Sequence, residues 1–119
     1  MAATTRIAFL GPAGTFTEEA ALRFGIEDAQ YVPVESPAAA LAALDAGEAE
    51  YAVCAIENSI DGAVTTTMDA LAATESARIV GETELAIAFA VMTRQGHTLG
   101  DALRLATHPV AHQQVKRWV

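Results

Sequence analysis

The strongest constraint in this sequence is an alternation. Short apolar runs of strand length take turns with segments that carry helix start and stop signals, and most runs close on glycine, proline or a polar cluster. Arg6 to Leu10 reads as a first strand ending at Gly11-Pro12. Thr15 followed by Glu18 fits a capping box, so a helix starts near Phe16; Ala20, Ala21 and Phe24 share one face and Gly25 ends it. Gln30 to Val34 is the second strand. Ser36-Pro37 opens the next helix as N-cap and first residue, with Leu41 and Leu44 inward and Gly47 as the stop. Glu50 to Ile56 is the third strand. A third helix is predicted from about Val64 to Ala73, with Val64, Met68 and Leu71 on one stripe.

The second part is read the same way. Arg78 to Arg94 is rich in strand formers and predicts one long strand, or two joined at Gly81-Glu82. Leu103 to Ala106 predicts another short strand, and "HPVAHQQVKRWV" a helix with Pro109 at its start. Alternating strands and helices imply an α/β fold with a largely parallel sheet covered on both faces. Ligands of such sheets sit beyond the carboxyl ends of strands, near helix N-termini. Three polar segments follow predicted strands: Gly11 to Thr17, Glu57 to Gly62, and Thr107 to Gln114. Val115, Trp118 and Val119 form an apolar face without cap or polar tail. The expectation is a front part of a longer protein, or a face covered by another copy in a homo-oligomer.

Composition narrows the partners. With 52% hydrophobic residues in 119, the chain has the means to fold. No apolar run approaches the ~20 residues of a membrane helix, so no membrane partner is expected. The N-terminus lacks the pattern of a signal peptide. The single cysteine, Cys54, cannot form an internal disulfide; it sits in an apolar run, reads as a small buried packing residue, and fits a cytoplasmic setting. A net charge of −8 with seven Lys and Arg argues against nucleic acid. An anionic ligand would have to be held by local donors: helix N-termini, amides, hydroxyls or a chosen arginine.

The polar segments carry the chemistry. "GPAGTFTE" places backbone N–H groups before a helix, which favours an anion, although a plain strand–turn–helix link with a good cap has the same pattern; it is neither a Walker A loop nor GxGxxG. In "ENSIDG", Glu57 can move a proton or hold neighbouring donors, Asn58 offers both donor and acceptor, and Ser59 a hydroxyl. The other reading is a polar turn in which Ser59 or Asp61 caps the next helix. His108 stands at the head of a helix, as a cap or a ligand-facing group, and neither His97 nor His112 has metal-ligand spacing. No metal site, nucleophile elbow or Ser-His-Asp order is found.

Taken together, Gly11-Pro12-Ala13-Gly14-Thr15-Phe16-Thr17-Glu18, "AIENSIDG" from Ala55 to Gly62, and "THPVAHQQV" from Thr107 to Val115 resemble three ordered motifs of the prephenate dehydratase family, in particular its actinobacterial members. Ala55 stands where the family has proline, Thr107 where it has serine, and Val110 where it has glutamine. The resemblance implies a two-lobed architecture like that of periplasmic binding proteins, with residues 1–77 in the first lobe and 78–119 starting the second. It implies conversion of prephenate to phenylpyruvate in phenylalanine synthesis, with no metal or organic cofactor and prephenate as the small-molecule partner. By match of position it assigns Glu57, Asn58 and Thr107 to catalysis, and Thr15, Ser59, His108 and Gln114 to substrate binding. The family's later TRF segment and its ACT domain are not in these 119 residues, so the fragment alone is expected to be inactive. The alternative is a non-catalytic, two-lobed module binding a small anion.

Overall fold

The structure, a computed structural model, describes residues 3–101 and 104–118. It divides into two compact units, Met1–Leu85 and Ala86–Val119. The first is an α/β layer around a three-stranded parallel sheet in the order β2-β1-β3. Strand β1 (Thr5–Leu10) lies in the middle. It pairs along its whole length with β2 (Ala29–Val34), from Thr5 opposite Ala29 to Leu10 opposite Val34. On its other edge it pairs with β3 (Tyr51–Val53), Ile7 opposite Tyr51 and Phe9 opposite Val53.

Helices α1 (Phe16–Arg23) and α2 (Pro37–Asp45) are the crossovers that parallel pairing requires, and both pack on β1. Ala8 meets Ala40, Ala43 and Ala49, with Val34, Leu44, Ala52 and Cys54 packed around them. Because side chains alternate across a strand, Ile7 and Phe9 fall on the opposite face; both are 0% exposed. Burying a side chain of that size contributes about 1.5–3 kcal/mol. Ser36 caps α2 as expected, its hydroxyl accepting from the Ala39 N–H at 3.0 Å. Gly25 and Gly47 leave α1 and α2 with positive φ, the backbone state that glycine enters without steric cost.

Two side-chain ties hold this layer. At the start of the sheet, Arg6 donates to Glu50 at 2.8 Å and to the Gly47 carbonyl at 2.9 Å. The side-chain bond from Arg6, and then the bond from its main-chain N–H, pull the Glu50 carboxyl from 4.5 down to about 2. At the other tie, Asp45 at the end of α2 accepts from the hydroxyls of Thr74 and Ser76, which follow α3 (Thr65–Ala73).

Several expectations are corrected. The third strand stops at Val53, opposite Phe9, rather than at Ile56, although β1 runs on to Leu10; the Ile56 carbonyl is taken instead by the Val64 N–H at the base of the segment that follows. The following polar segment is itself a small hairpin, β4 (Glu57–Asn58) against β5 (Gly62–Ala63). Neither Ser59 nor Asp61 caps α3; Val64 occupies the N-cap and makes no side-chain cap bond. The buried face of α3 is turned by one residue, with Thr67 2% exposed and Met68 42% exposed. Helical spacing permits either residue beside Val64 and Leu71, and α3, which packs against α2, uses the shorter one.

No strand forms in 78–94 among the described residues. Composition alone does not make a strand, which exists only where a continuous ladder takes up its N–H and C=O groups. Residues 104–106 are not a strand either, and Leu103 lies outside the described residues. In the second unit Thr93 donates to the His97 carbonyl at 2.9 Å, and a 3₁₀ turn at Leu99–Asp101 precedes α4 (Pro109–Val115). Val119, expected on the apolar face of that helix, also lies outside the described residues, whereas Trp118 is exposed.

Two outcomes are expected. The Thr67 hydroxyl is buried without a partner among the described residues. Thr67→Val removes an unsatisfied group at constant shape, and should be neutral or raise the urea-unfolding free energy by about 1 kcal/mol; a loss of that size would mean the hydroxyl is bonded. The Glu50 carboxyl has a lower pKa folded than unfolded, so its charge favours the fold above about 4.5 and the benefit fades as pH falls toward about 2. Thermal melts of Glu50→Gln should therefore lie below wild type near neutrality and converge with it at the acid end of that window.

Candidate active-site segments

Parallel pairing sends the carboxyl ends of β1, β2 and β3 to one edge of the sheet, and two of the three polar segments begin there. The first continues the ladder for one residue, with the Gly11 N–H donating to the Val34 carbonyl at 2.9 Å. A Cβ on Gly11 would come within 2.7 Å of the Pro33 Cβ, so glycine is a steric requirement at this point. Gly14, at φ +85, then turns the chain into α1.

Thr15 works as a cap. Its hydroxyl accepts from the Glu18 N–H at 3.3 Å and donates to the Leu10 carbonyl at 3.4 Å. Glu18 reaches back to the Gly14 N–H at 3.4 Å, one residue earlier than the expected capping box would have it. Glu18 and Glu19 also place two carboxylates on the positive pole of α1, which weakens this helix end as a seat for an anion. An open hollow of about 700 Å³ beside the loop is lined by Gly11, Ala13, Ala39 and Ala43, with Glu35 and Glu48 as its charged groups. Two carboxylates without a cation make it unsuited to a doubly negative ligand.

The second segment is a tight hairpin built by Asn58. Its Oδ1 accepts from the Ile60 N–H at 2.8 Å and the Asp61 N–H at 3.3 Å, Gly62 takes φ +81, and the Val64 N–H closes the base on the Ile56 carbonyl at 2.9 Å. Two backbone donors fix the amide's orientation: the oxygen belongs to the turn, and the NH2 group remains as a donor pair. Glu57 and Ser59 are exposed and Asn58 is half-buried. The hairpin leads into α3, whose first turn carries no acid and no side-chain cap, and where Thr65 and Thr66 are exposed. The first turn itself therefore does not offset the positive pole of this helix, a feature that three threonines after a glycine could have signalled in the sequence. Cys54 lies just before the hairpin, half-buried against the alanine cluster, and burial pushes its thiol up, away from thiolate chemistry.

The third segment belongs to the second unit. His108 is the N-cap of α4, its Nδ1 accepting from the Val110 N–H at 3.2 Å, which in the neutral ring puts the proton on Nε2. Thr107 is exposed, with its hydroxyl 3.4 Å from the His108 carbonyl. Gln114 is half-buried on α4 with Ala111, one turn earlier on the same face. The structure thus groups Thr15, Glu57, Asn58 and Ser59 in the first unit, and Thr107, His108 and Gln114 in the second.

A family model described as prephenate dehydratase matches residues 7–119. The chain belongs to the prephenate dehydratase family. Among similar curated proteins, the prephenate dehydratase of Corynebacterium glutamicum is 49% identical over 123 aligned positions, covering 98% of this chain and 39% of that protein. Those of Mycobacterium tuberculosis and Mycobacterium marinum are 44% and 45% identical, covering 96% of this chain and 38% and 39% of their own lengths. The chain therefore spans about two fifths of the prephenate dehydratases it matches. No solved structure matches it. Among the described residues, no helix is long and apolar enough to cross a membrane.

The two ends of the Asn58 amide can be tested apart. Asn58→Asp keeps an acceptor for the turn and should unfold in urea close to wild type at salt that screens Asp61, whereas Asn58→Ala should lose about 1 kcal/mol. Equal losses in both variants would mean that the oxygen is not what the hairpin uses.

Proposed function

We propose that this chain supplies part of the site at which prephenate loses its ring carboxyl as CO2 and its ring hydroxyl as water, giving phenylpyruvate for phenylalanine synthesis, the chemistry of a carbon–oxygen lyase. As the C–CO2 bond breaks, its electron pair enters the ring; the C–OH bond breaks, and the hydroxyl leaves with one added proton. Aromatisation drives the change, so the protein's task is to hold the dianion and help the hydroxyl leave. A positioned acid is worth roughly 10²–10⁴-fold.

The observation that carries the reading is the family match across nearly the whole chain, joined to an Asn58 amide whose NH2 group is left over once its oxygen is fixed in the hairpin. In this assignment Asn58 and Gln114 bind the substrate, and Thr107 hydrogen-bonds near the leaving group. Glu57 orients or hands on a proton, and Ser59 lends a hydroxyl. Thr15, its hydroxyl engaged in the cap, contributes through the backbone amides of its turn. His108, its Nδ1 engaged with the Val110 N–H, has Nε2 left for the ligand.

Residues 1–77 then form a first lobe and 78–119 the beginning of a second. The single cysteine supports a cytoplasmic setting. The exposed Trp118, Val110 and Leu105 support burial against a further copy or further chain.

Supplying the full-length protein with prephenate and following phenylpyruvate by its ultraviolet absorbance in alkali tests the reading. Turnover is expected, and at least tenfold less of it in Asn58→Ala and Asn58→Asp alike, since both lack the amide donors. Prephenate bound without product would make the protein a binding module instead.

A further inference from the structure

The formal charge of the chain is divided unevenly. Met1–Leu85 holds fourteen Asp and Glu against Arg6, Arg23 and Arg78, a formal −11; Ala86–Val119 holds Arg94, Arg104, Lys116 and Arg117 against Asp101 alone, a formal +3. Arg6 and Arg23 are tied up in ion pairs with Glu50 and Glu19. Among the described residues none of the second unit's four cations is in an ion pair. Its one acid is engaged locally, accepting from the Thr98 N–H at 2.8 Å and the Thr98 hydroxyl at 3.0 Å.

Two of these cations stand next to a candidate binding residue. Lys116 and Arg117 follow α4 directly, two and three positions after Gln114, and both are exposed. Lys116 and Arg117 lie two and three residues past Gln114, about 3–5 Å of helical rise, which is inside the Debye length of about 8 Å at physiological salt. A charge at the end of this short helix is thus only partly screened from a ligand on its side. The global field of the chain repels an anion, so attraction has to come from a local surplus, and this is where the sequence keeps one.

We propose that Lys116 and Arg117 are an electrostatic capture element that draws a small dicarboxylate to the Gln114 side of α4. The proposal rests on the reading of the substrate as the prephenate dianion. It adds a specificity element: two adjacent exposed cations attract a doubly charged ligand more strongly than a monoanion. The competing role for these residues is to offset the negative pole at the end of α4, which changes stability but gives the ligand no salt-dependent advantage.

Full-length Lys116→Glu/Arg117→Glu and Lys116→Gln/Arg117→Gln should be compared with wild type in the phenylpyruvate assay, with folding checked by circular dichroism. At salt of about 0.01 M the reversed pair should lower kcat/KM by about tenfold and the neutral pair by less; raising salt to about 1 M should lower wild-type kcat/KM and close the gap. A wild-type enzyme insensitive to salt, or a deficit in the variants that stays constant as salt rises, would overturn the capture role while leaving the substrate assignment standing. Absence of phenylpyruvate from wild type under all conditions would overturn the substrate assignment, and the capture role with it.

Discussion

Strand β1 is paired on both edges and covered on both faces, and the rest of the first unit follows from that. A segment so enclosed needs partners for its N–H and C=O groups, and β2 supplies them along its whole length and β3 from Ile7 to Phe9. Since both pair in parallel, the chain returns to the same end each time, by way of α1 and α2. The strands then all release their polar continuations on one edge. The site segments are placed by this arithmetic of pairing before any of their own chemistry is considered.

That edge is electrostatically mixed. At α1, Glu18 and Glu19 spend the helix pole on the protein's own carboxylates, and Thr15 spends its hydroxyl on the cap. At α3 nothing comparable is spent, and the hairpin just before it holds the Asn58 amide with its donors uncommitted. Of the two segments in this unit, the one around Asn58 keeps side-chain donors to spare, beside its own acids Glu57 and Asp61. Asn58 shows how one side chain divides its labour: the oxygen builds the turn, which leaves the nitrogen steady.

The parts legible in the sequence were those governed by local chemistry. Ser36-Pro37, Thr15 with Glu18, and glycines at 25 and 47 mark helix ends because caps and positive φ depend on a few neighbouring atoms. What escaped depends on partners. The end of β3 depends on the hairpin that takes up the Ile56 carbonyl through the Val64 N–H, and the buried face of α3 goes with its packing on the neighbouring helix α2, where Thr67 is buried and the more apolar Met68 is not. The apolar run 78–94 has strand composition, yet among the described residues it forms no strand. At the site, the residue types in Glu57-Asn58-Ser59 were readable as chemistry, whereas the hairpin that uses Asn58 Oδ1 was not. It takes Gly62, four residues on, and the Val64–Ile56 bond to close it.

The seam where Ala8 meets Ala40, Ala43 and Ala49 has a mechanical consequence. A methyl group has no rotamers to exchange, so a layer joined through alanines gives up almost no side-chain entropy on assembling and has almost none in reserve afterwards. It cannot absorb stress by reshuffling side chains. Rearrangement in this layer is left to the larger side chains packed around the seam, Val34 and Leu44 among them.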